Sequence, residues 1–263
     1  FIDINMGCPV PKVVRDGAGA ALMQTPDLAG EIVAASVEAA EPFGKLVTVK
    51  IRSGFNAENI NAPAIARIAE QAGAAAVTVH ARTRDQYYAG SADWRVIRQV
   101  RDAIGIPLLG NGDITSIVDL VRMREETHCD GFQIGRAARG NPFLFTLIER
   151  TFQDHDEQSA AETPEGGCPQ AFDTQTLLEI PSDRWLVVTT RHLDDMIRHL
   201  GEHVAICEMR AHFAHYFRGF HCASGLRGRI MQSETRDAVL AILEEAAQQR
   251  EVSRRQYLEV NYF

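Results

Sequence analysis

Hydrophobic and polar positions alternate along the first half of the chain in a regular way. Five short runs, residues 1–5, 46–52, 75–80, 106–111 and 131–135, are rich in β-branched and small apolar residues and end in small or polar ones. From the second onward they begin roughly 25 to 31 positions apart, the repeat of strand–helix units. Between them the period lengthens to that of a helix. Thr25 precedes Pro26 at a helix start, and Leu28, Ile32, Val33, Val37 and Ala40 share one face. Ile65, Ile68, Ala69 and Ala72 form a second stripe closed by Gly73. Ser91 is placed to cap a third helix carried by Trp94, Ile97 and Val100; Ile117, Val118, Leu120 and Val121 open a fourth, and Pro142, Phe145 and Ile148 mark a fifth. The runs read as nearly continuous apolar strands covered on both sides by helices.

Repeated strand–helix units build either an open doubly wound sheet or a closed barrel. An open sheet gathers its ligands at one crossover. A barrel takes chemistry from every strand end. Here polar residues stand at one strand end after another: Asn5 and Cys8, Lys50 and Arg52, His80 and Arg82, Asn111 and Asp113, then Arg136. That distribution predicts an α/β chain of the TIM-type (β/α)8 barrel class. Five strands are countable where such a barrel has eight, so the first three are expected to be lacking. Residues 1–152 are assigned to this barrel portion. Residues 153–175 are polar, acidic and rich in Gly and Pro, and read as a linker. Residues 176–263 return to a helical period and predict a bundle of three or four helices.

Composition narrows the class. An apolar share of 45% supports a sizeable core, and a net charge of −8 argues against binding nucleic acid by overall charge alone. No stretch is apolar for long enough to span a membrane. The five cysteines form no CxxC pair and suit a reducing, cytoplasmic setting. The histidines of the helical half, His199, His203, His212, His215 and His221, match no metal-ligand spacing, so no metal is expected.

Candidate chemistry lies at the strand ends. Gly110-Asn111-Gly112-Asp113 and Gly135-Arg136 follow the last two strands, where a barrel seats phosphate on backbone N–H groups and an arginine fork; two ordinary glycine turns are the plainer reading. Lys50 and His80 each close a strand, as site residues or as an exposed lysine and a hydrogen-bonded core histidine. Cys8, on the loop after the first strand, is either an acid or nucleophile or a small hydrophobe. The segment 210–229 interleaves Arg210, Arg218, Arg227 and Arg229 with Tyr216, Phe217 and Phe220, a pattern that suits a nucleic-acid backbone and a stacked base, or plain helix packing.

Five segments in order, IDINMGCPVPKVVRDGAGAAL, VKIRSGF, VTVHARTRDQYYAGSADW, IPLLGNGDI and GFQIGRAARGNP, resemble the tRNA-dihydrouridine synthase family, within it the bacterial branch that once carried a nitrogen-regulation name. The helical tail, through MRAHFAHYFRG, is similar to the family's RNA-binding domain. The resemblance implies FMN as cofactor, NADPH or NADH as reductant, and tRNA as partner of a monomeric enzyme that reduces uridine to 5,6-dihydrouridine. It implies hydride transfer from flavin N5 to uracil C6 and a proton from Cys8 to C5. Lys50 and His80 match flavin-ring and ribityl-phosphate contacts. Asn111, Gly112 and Asp113 match a first flavin loop, Gly135 and Arg136 a second, and Asn5 and Arg52 lie beside the target base. The competing expectations are an FMN barrel oxidoreductase acting on a small pyrimidine, and a non-catalytic RNA-binding remnant.

Overall fold

The computed structural model describes residues 1–149, 180–218, 220 and 223–262, with the backbone alone for 257–262. The expected linker at 153–175, with Cys168 in it, and His221 and Cys222 lie outside the described residues. By internal contacts the chain divides into two units, Phe1–Ile114 with Val118–Gly135, and Thr115–Ile117 with Arg136–Phe263.

The first unit is a parallel sheet in sequential order, β1 (Ile2–Asn5), β2 (Val47–Arg52), β3 (Ala76–His80), β4 (Leu108–Asn111) and β5 (Gly131–Gln133). Helices α1 (Pro11–Arg15) and α2 (Pro26–Ala40) lie between β1 and β2, and α3 (Ala62–Gln71), α4 (Trp94–Ala103) and α5 (Ile117–Thr127) between the later strands. Strand neighbours in space are strand neighbours in sequence, with helical connections, which is the architecture of a (β/α) barrel portion.

Register sorts the side chains. Asn5 pairs with Lys50, Lys50 with Thr78, Arg52 with His80, and His80 with Asn111. Partners in a parallel ladder share a face, so Asn5, Lys50, Arg52, His80 and Asn111 all stand on one side of the sheet. Val47, Val49, Ile51, Val77, Val79 and Leu108 occupy the other and are fully buried. With them in the core are Val33 of α2, Ile65 and Ala69 of α3, Ile97 and Val100 of α4, and Leu120 and Met123 of α5. The strands therefore alternate, with one apolar and one polar face, and are not the continuous apolar runs expected. A sheet covered by helices on one side has no need of hydrophobes on the other when that side carries a site.

Local details differ from expectation at several ends. The strands are shorter by up to two residues than the apolar runs. Asp93, not Ser91, caps α4, accepting from the Arg95 N–H at 3.1 Å. Thr25 precedes α2 without a side-chain capping bond, and Leu28 is exposed.

From residue 180 onward the described residues of the second unit form four helices, α6 (Ser182–Leu200), α7 (Glu202–Tyr216), α8 (Ala223–Gln232) and α9 (Arg236–Tyr262). One core joins Trp185, Leu193, Met209, Phe213, Phe217, Ile230 and Leu243, and Phe143 belongs to it as well. Gly140 admits the preceding segment to α7. Its φ is +72°, and a Cβ there would meet the backbone of His215 and Tyr216 well inside contact distance. Arg250 is buried and donates to Ser182 Oγ at 3.1 Å, holding the start of α6 against α9.

Candidate active site

Cys8 lies on the loop after β1, half-buried. Gly7 N–H donates to Asn5 Oδ1 at 2.9 Å, which turns the chain sharply at the strand end. The loop is backed by the short 3₁₀ segment Gly19–Gln24. A Cβ on Gly19, at φ +58°, would lie 2.8 Å from the Cys8 carbonyl oxygen, so only glycine allows this approach.

Lys50 and His80 sit beside one another on the polar face. Lys50 Nζ reaches Asn111 Oδ1 at 3.4 Å, and Asn111 Nδ2 donates to the Gln133 carbonyl oxygen at 2.6 Å. The amide of Asn111 thus spans from β2 to β5. Burial, then the neighbouring charge of Arg52, pushes the Lys50 ammonium down to about 8, against an opposing pull from Asp3. Burial, then the charges of Arg52, Lys50 and Arg82, pushes His80 down to about 3, with Asp113 opposing. His80 is accordingly a neutral imidazole at pH 7.

Gly112 and Asp113 shape the loop after β4. Gly112 has φ +123°, and a Cβ there would stand 2.8 Å from Ala92 Cβ and 3.2 Å from His80 Cδ2. Asp113, also at positive φ, accepts from Arg82 Nη2 through both carboxylate oxygens at 2.7 Å and from the Ala92 N–H at 2.7 Å. Arg82 is 2% exposed and also donates to the carbonyl oxygens of Ala89 and Gly90. The Trp94 indole N–H donates to the Gly112 carbonyl oxygen at 3.0 Å. This loop is thereby stapled to residues 89–94, and Asp113 is committed to the staple.

Arg52, expected beside a target base, is 3% exposed, and its Nε and Nη1 donate to the carbonyl oxygens of Gly7, Thr83 and Tyr87. Gly135 is exposed, with nothing within 4 Å of a Cβ built on it. Arg136 is exposed and is grouped by its contacts with the second unit. A cavity of about 490 Å³ in the first unit is lined by residues including Ser53, Ile60, Thr83, Gln86 and Arg95, and by none of the predicted site residues. Tyr87 was not legible as a site residue. Its only sequence signal is a place among turn-forming residues, where its φ proves to be +51°.

In the second unit Tyr216, Phe217 and Phe220 are buried in the helical core, which removes them as stacking platforms. The basic residues fare differently. Arg218, Arg227 and Arg229 are exposed, and Arg210 is half-buried, donating to the Ser233 carbonyl oxygen. His215 is held below its ordinary value by burial first, then by the charges of Arg218, Arg139, His212 and Arg227 around it. Among the described residues no group of His, Cys, Asp and Glu is arranged to hold a metal ion, and no helix is long and apolar enough to cross a membrane.

A family model described as Dihydrouridine synthase (Dus) matches residues 1–252. The chain belongs to this family. A probable tRNA-dihydrouridine synthase of Mycobacterium leprae is 42% identical over 243 residues, covering 92% of this chain and 58% of that protein. One of Rickettsia conorii is 36% identical over 88% of this chain and 63% of its own length. A tRNA-dihydrouridine synthase B of Xanthomonas axonopodis pv. citri is 36% identical over 92% and 66%. The Dus chain thus spans about three-fifths of the length of these curated relatives.

Proposed function

We propose that this Dus chain carries out FMN-dependent reduction of specific uridines in tRNA to 5,6-dihydrouridine, with NADPH or NADH as the reductant and Cys8 as the proton donor. The observation that carries the reading is the register of β1 to β4. It gathers Asn5, Lys50, His80 and Asn111 on one sheet face, and Cys8 follows the end of β1 on the next loop.

The residues present fit a flavin. Gly112 lets the loop after β4 approach Ala92 and His80 more closely than any side chain would allow, and the Lys50 ammonium faces an amide oxygen with no carboxylate bonded to it in the described contacts. A cation so placed favours an electron-rich ring or an anion. FMN, when bound, supplies the hydride that a uracil ring accepts at C6. Lys50 and Asn111 would hold the flavin ring, neutral His80 would donate or accept one hydrogen bond without adding charge, and the Gly135 turn after β5 would serve its phosphate. Gly112 and Asp113 shape the loop that receives it.

The chain's own contribution to the reaction is a proton and its placement. Cys8 holds a proton on Sγ and delivers it to C5 of the base. Asn5 commits Oδ1 to the Gly7 N–H, which leaves its amide N–H groups to donate to a uracil carbonyl when a base is bound. A uridine must leave its stack to meet this thiol, so tRNA is gripped elsewhere while one base enters. The arginines around His215, Arg139, Arg218 and Arg227, supply charge for the phosphate backbone. The same reading takes the chain as a monomeric cytoplasmic protein of the bacterial branch with the former nitrogen-regulation name, organised as a flavin-binding portion in 1–152, a linker in 153–175 and a tRNA-binding portion in 176–263. The test is conversion of tRNA uridines to dihydrouridine by the protein supplied with FMN and reduced nicotinamide. Conversion by the wild type that collapses in Cys8→Ala, with flavin still bound, is the expected result, and undiminished conversion contradicts it.

A further inference from the structure

Three consecutive carbonyl oxygens surround Cys8 in the chain, and each accepts a hydrogen bond from a different element. The Gly7 oxygen accepts from Arg52 Nε at 2.8 Å, the Cys8 oxygen from the Ala20 N–H at 3.0 Å, and the Pro9 oxygen from the Tyr87 O–H at 2.8 Å. The two side-chain donors are themselves joined, since Arg52 Nη1 donates to the carbonyl oxygens of Tyr87 at 3.0 Å and Thr83 at 2.8 Å. Tyr87 holds φ +51°, a backbone state that a bulky L-residue adopts at a cost, so its hydroxyl is carried to Pro9 by a turn the surroundings enforce.

We propose that Arg52 and Tyr87 are a positioning pair for the Cys8 loop, setting the direction of its thiol through the backbone and touching no substrate. A loop with three unclaimed carbonyls would sample several orientations, and a proton donor displaced by about 1 Å loses most of its advantage. Anchoring each carbonyl separately removes that freedom through the loop backbone alone. The catalytic meaning of the pair rests on the reading of Cys8 as the proton donor; the loop anchoring does not.

Tyr87→Phe removes one anchor and keeps the ring and the turn. The measurement is the alkylation rate of Cys8 by iodoacetamide in the 263-residue chain, read by peptide mass spectrometry. The exposed Cys207 serves as internal reference. Cys8 should react about 3–10-fold faster, the weight of one neutral hydrogen bond, while Cys207 is unchanged. Arg52→Lys, which has one nitrogen where Arg52 uses Nε and Nη1, should shift the same thiol in the same direction. An unchanged Cys8 rate in Tyr87→Phe, or an equal rise at Cys207, overturns the proposal. On the flavin-loaded protein, Tyr87→Phe should slow tRNA-dependent flavin oxidation by a similar about 3–10-fold and leave flavin reduction by nicotinamide alone. If the wild type shows no tRNA-dependent oxidation, the functional reading fails, and the alkylation arm still decides whether the pair anchors the loop.

Discussion

Replacing Gly112 with alanine would place a methyl group 2.8 Å from Ala92 Cβ and 3.2 Å from His80 Cδ2, on a backbone with φ +123°. The backbone state is one that L-residues avoid, at about 1–3 kcal/mol. Crowding adds about 1–3 kcal/mol, reduced where the loop yields. Ala92 sits on a loop and can shift, whereas His80 is held at a buried strand end, so about 2–4 kcal/mol is the expected loss. Local opening of the β3 and β4 strand ends should then become about 30–1,000-fold more frequent. Hydrogen exchange followed by mass spectrometry, on peptides covering 76–93 and 106–114, reads this within the first unit. Gly135→Ala is the control: nothing lies within 4 Å of its added Cβ, and its exchange and stability should stay within about 0.5 kcal/mol of wild type. A Gly112→Ala protein that exchanges like wild type would refute the argument that only glycine fits this close approach to Ala92 and His80.

His80 should make the first unit sensitive to acid. Its folded value is depressed to about 3 against an ordinary 6.5, so as pH falls the unfolded chain takes up the proton first and stability is lost between those two values. Between pH 7 and pH 5 this amounts to about 2 kcal/mol, and His80→Asn should flatten that part of the stability profile; an unaltered profile would show that the imidazole does not lie neutral in its pocket. In the second unit, Arg218→Glu with Arg227→Glu should weaken tRNA binding and lower the salt slope by about 1–2, measured by filter binding across a salt series, while an unchanged slope would leave the cluster as solvated surface.

Much of the first unit was readable because parallel strands advertise themselves twice, through β-branched runs and through the polar residues that terminate them. The five strand positions, the glycine loop after β4 and the residues Lys50, His80 and Asn111 follow from that. The sharing of a face did not, because it depends on register between strands roughly 30 to 45 positions apart, which no local pattern encodes. Arg52 and Arg82 show the same limit from another side. Both sit at strand ends like the ligand-facing residues, yet their partners are backbone carbonyls and one carboxylate brought close only by folding. Tyr216, Phe217 and Phe220 share a segment with arginines, and spacing alone does not tell which belong to the core; burial does. Helix ends were displaced for a local reason, since Ser91 and Asp93 are both good caps two residues apart.

The central claim is that Cys8 protonates the base, and separating the two half-reactions tests it most directly. In the flavin-loaded Cys8→Ala protein, stopped-flow absorbance should show flavin reduced by nicotinamide at the wild-type rate, because that step needs no proton at uracil C5. Oxidation of the reduced flavin by tRNA should slow by about 10²–10⁴-fold, the usual worth of a positioned acid. Oxidation by tRNA at the wild-type rate, with dihydrouridine formed, would contradict the account and remove Cys8 from the chemistry.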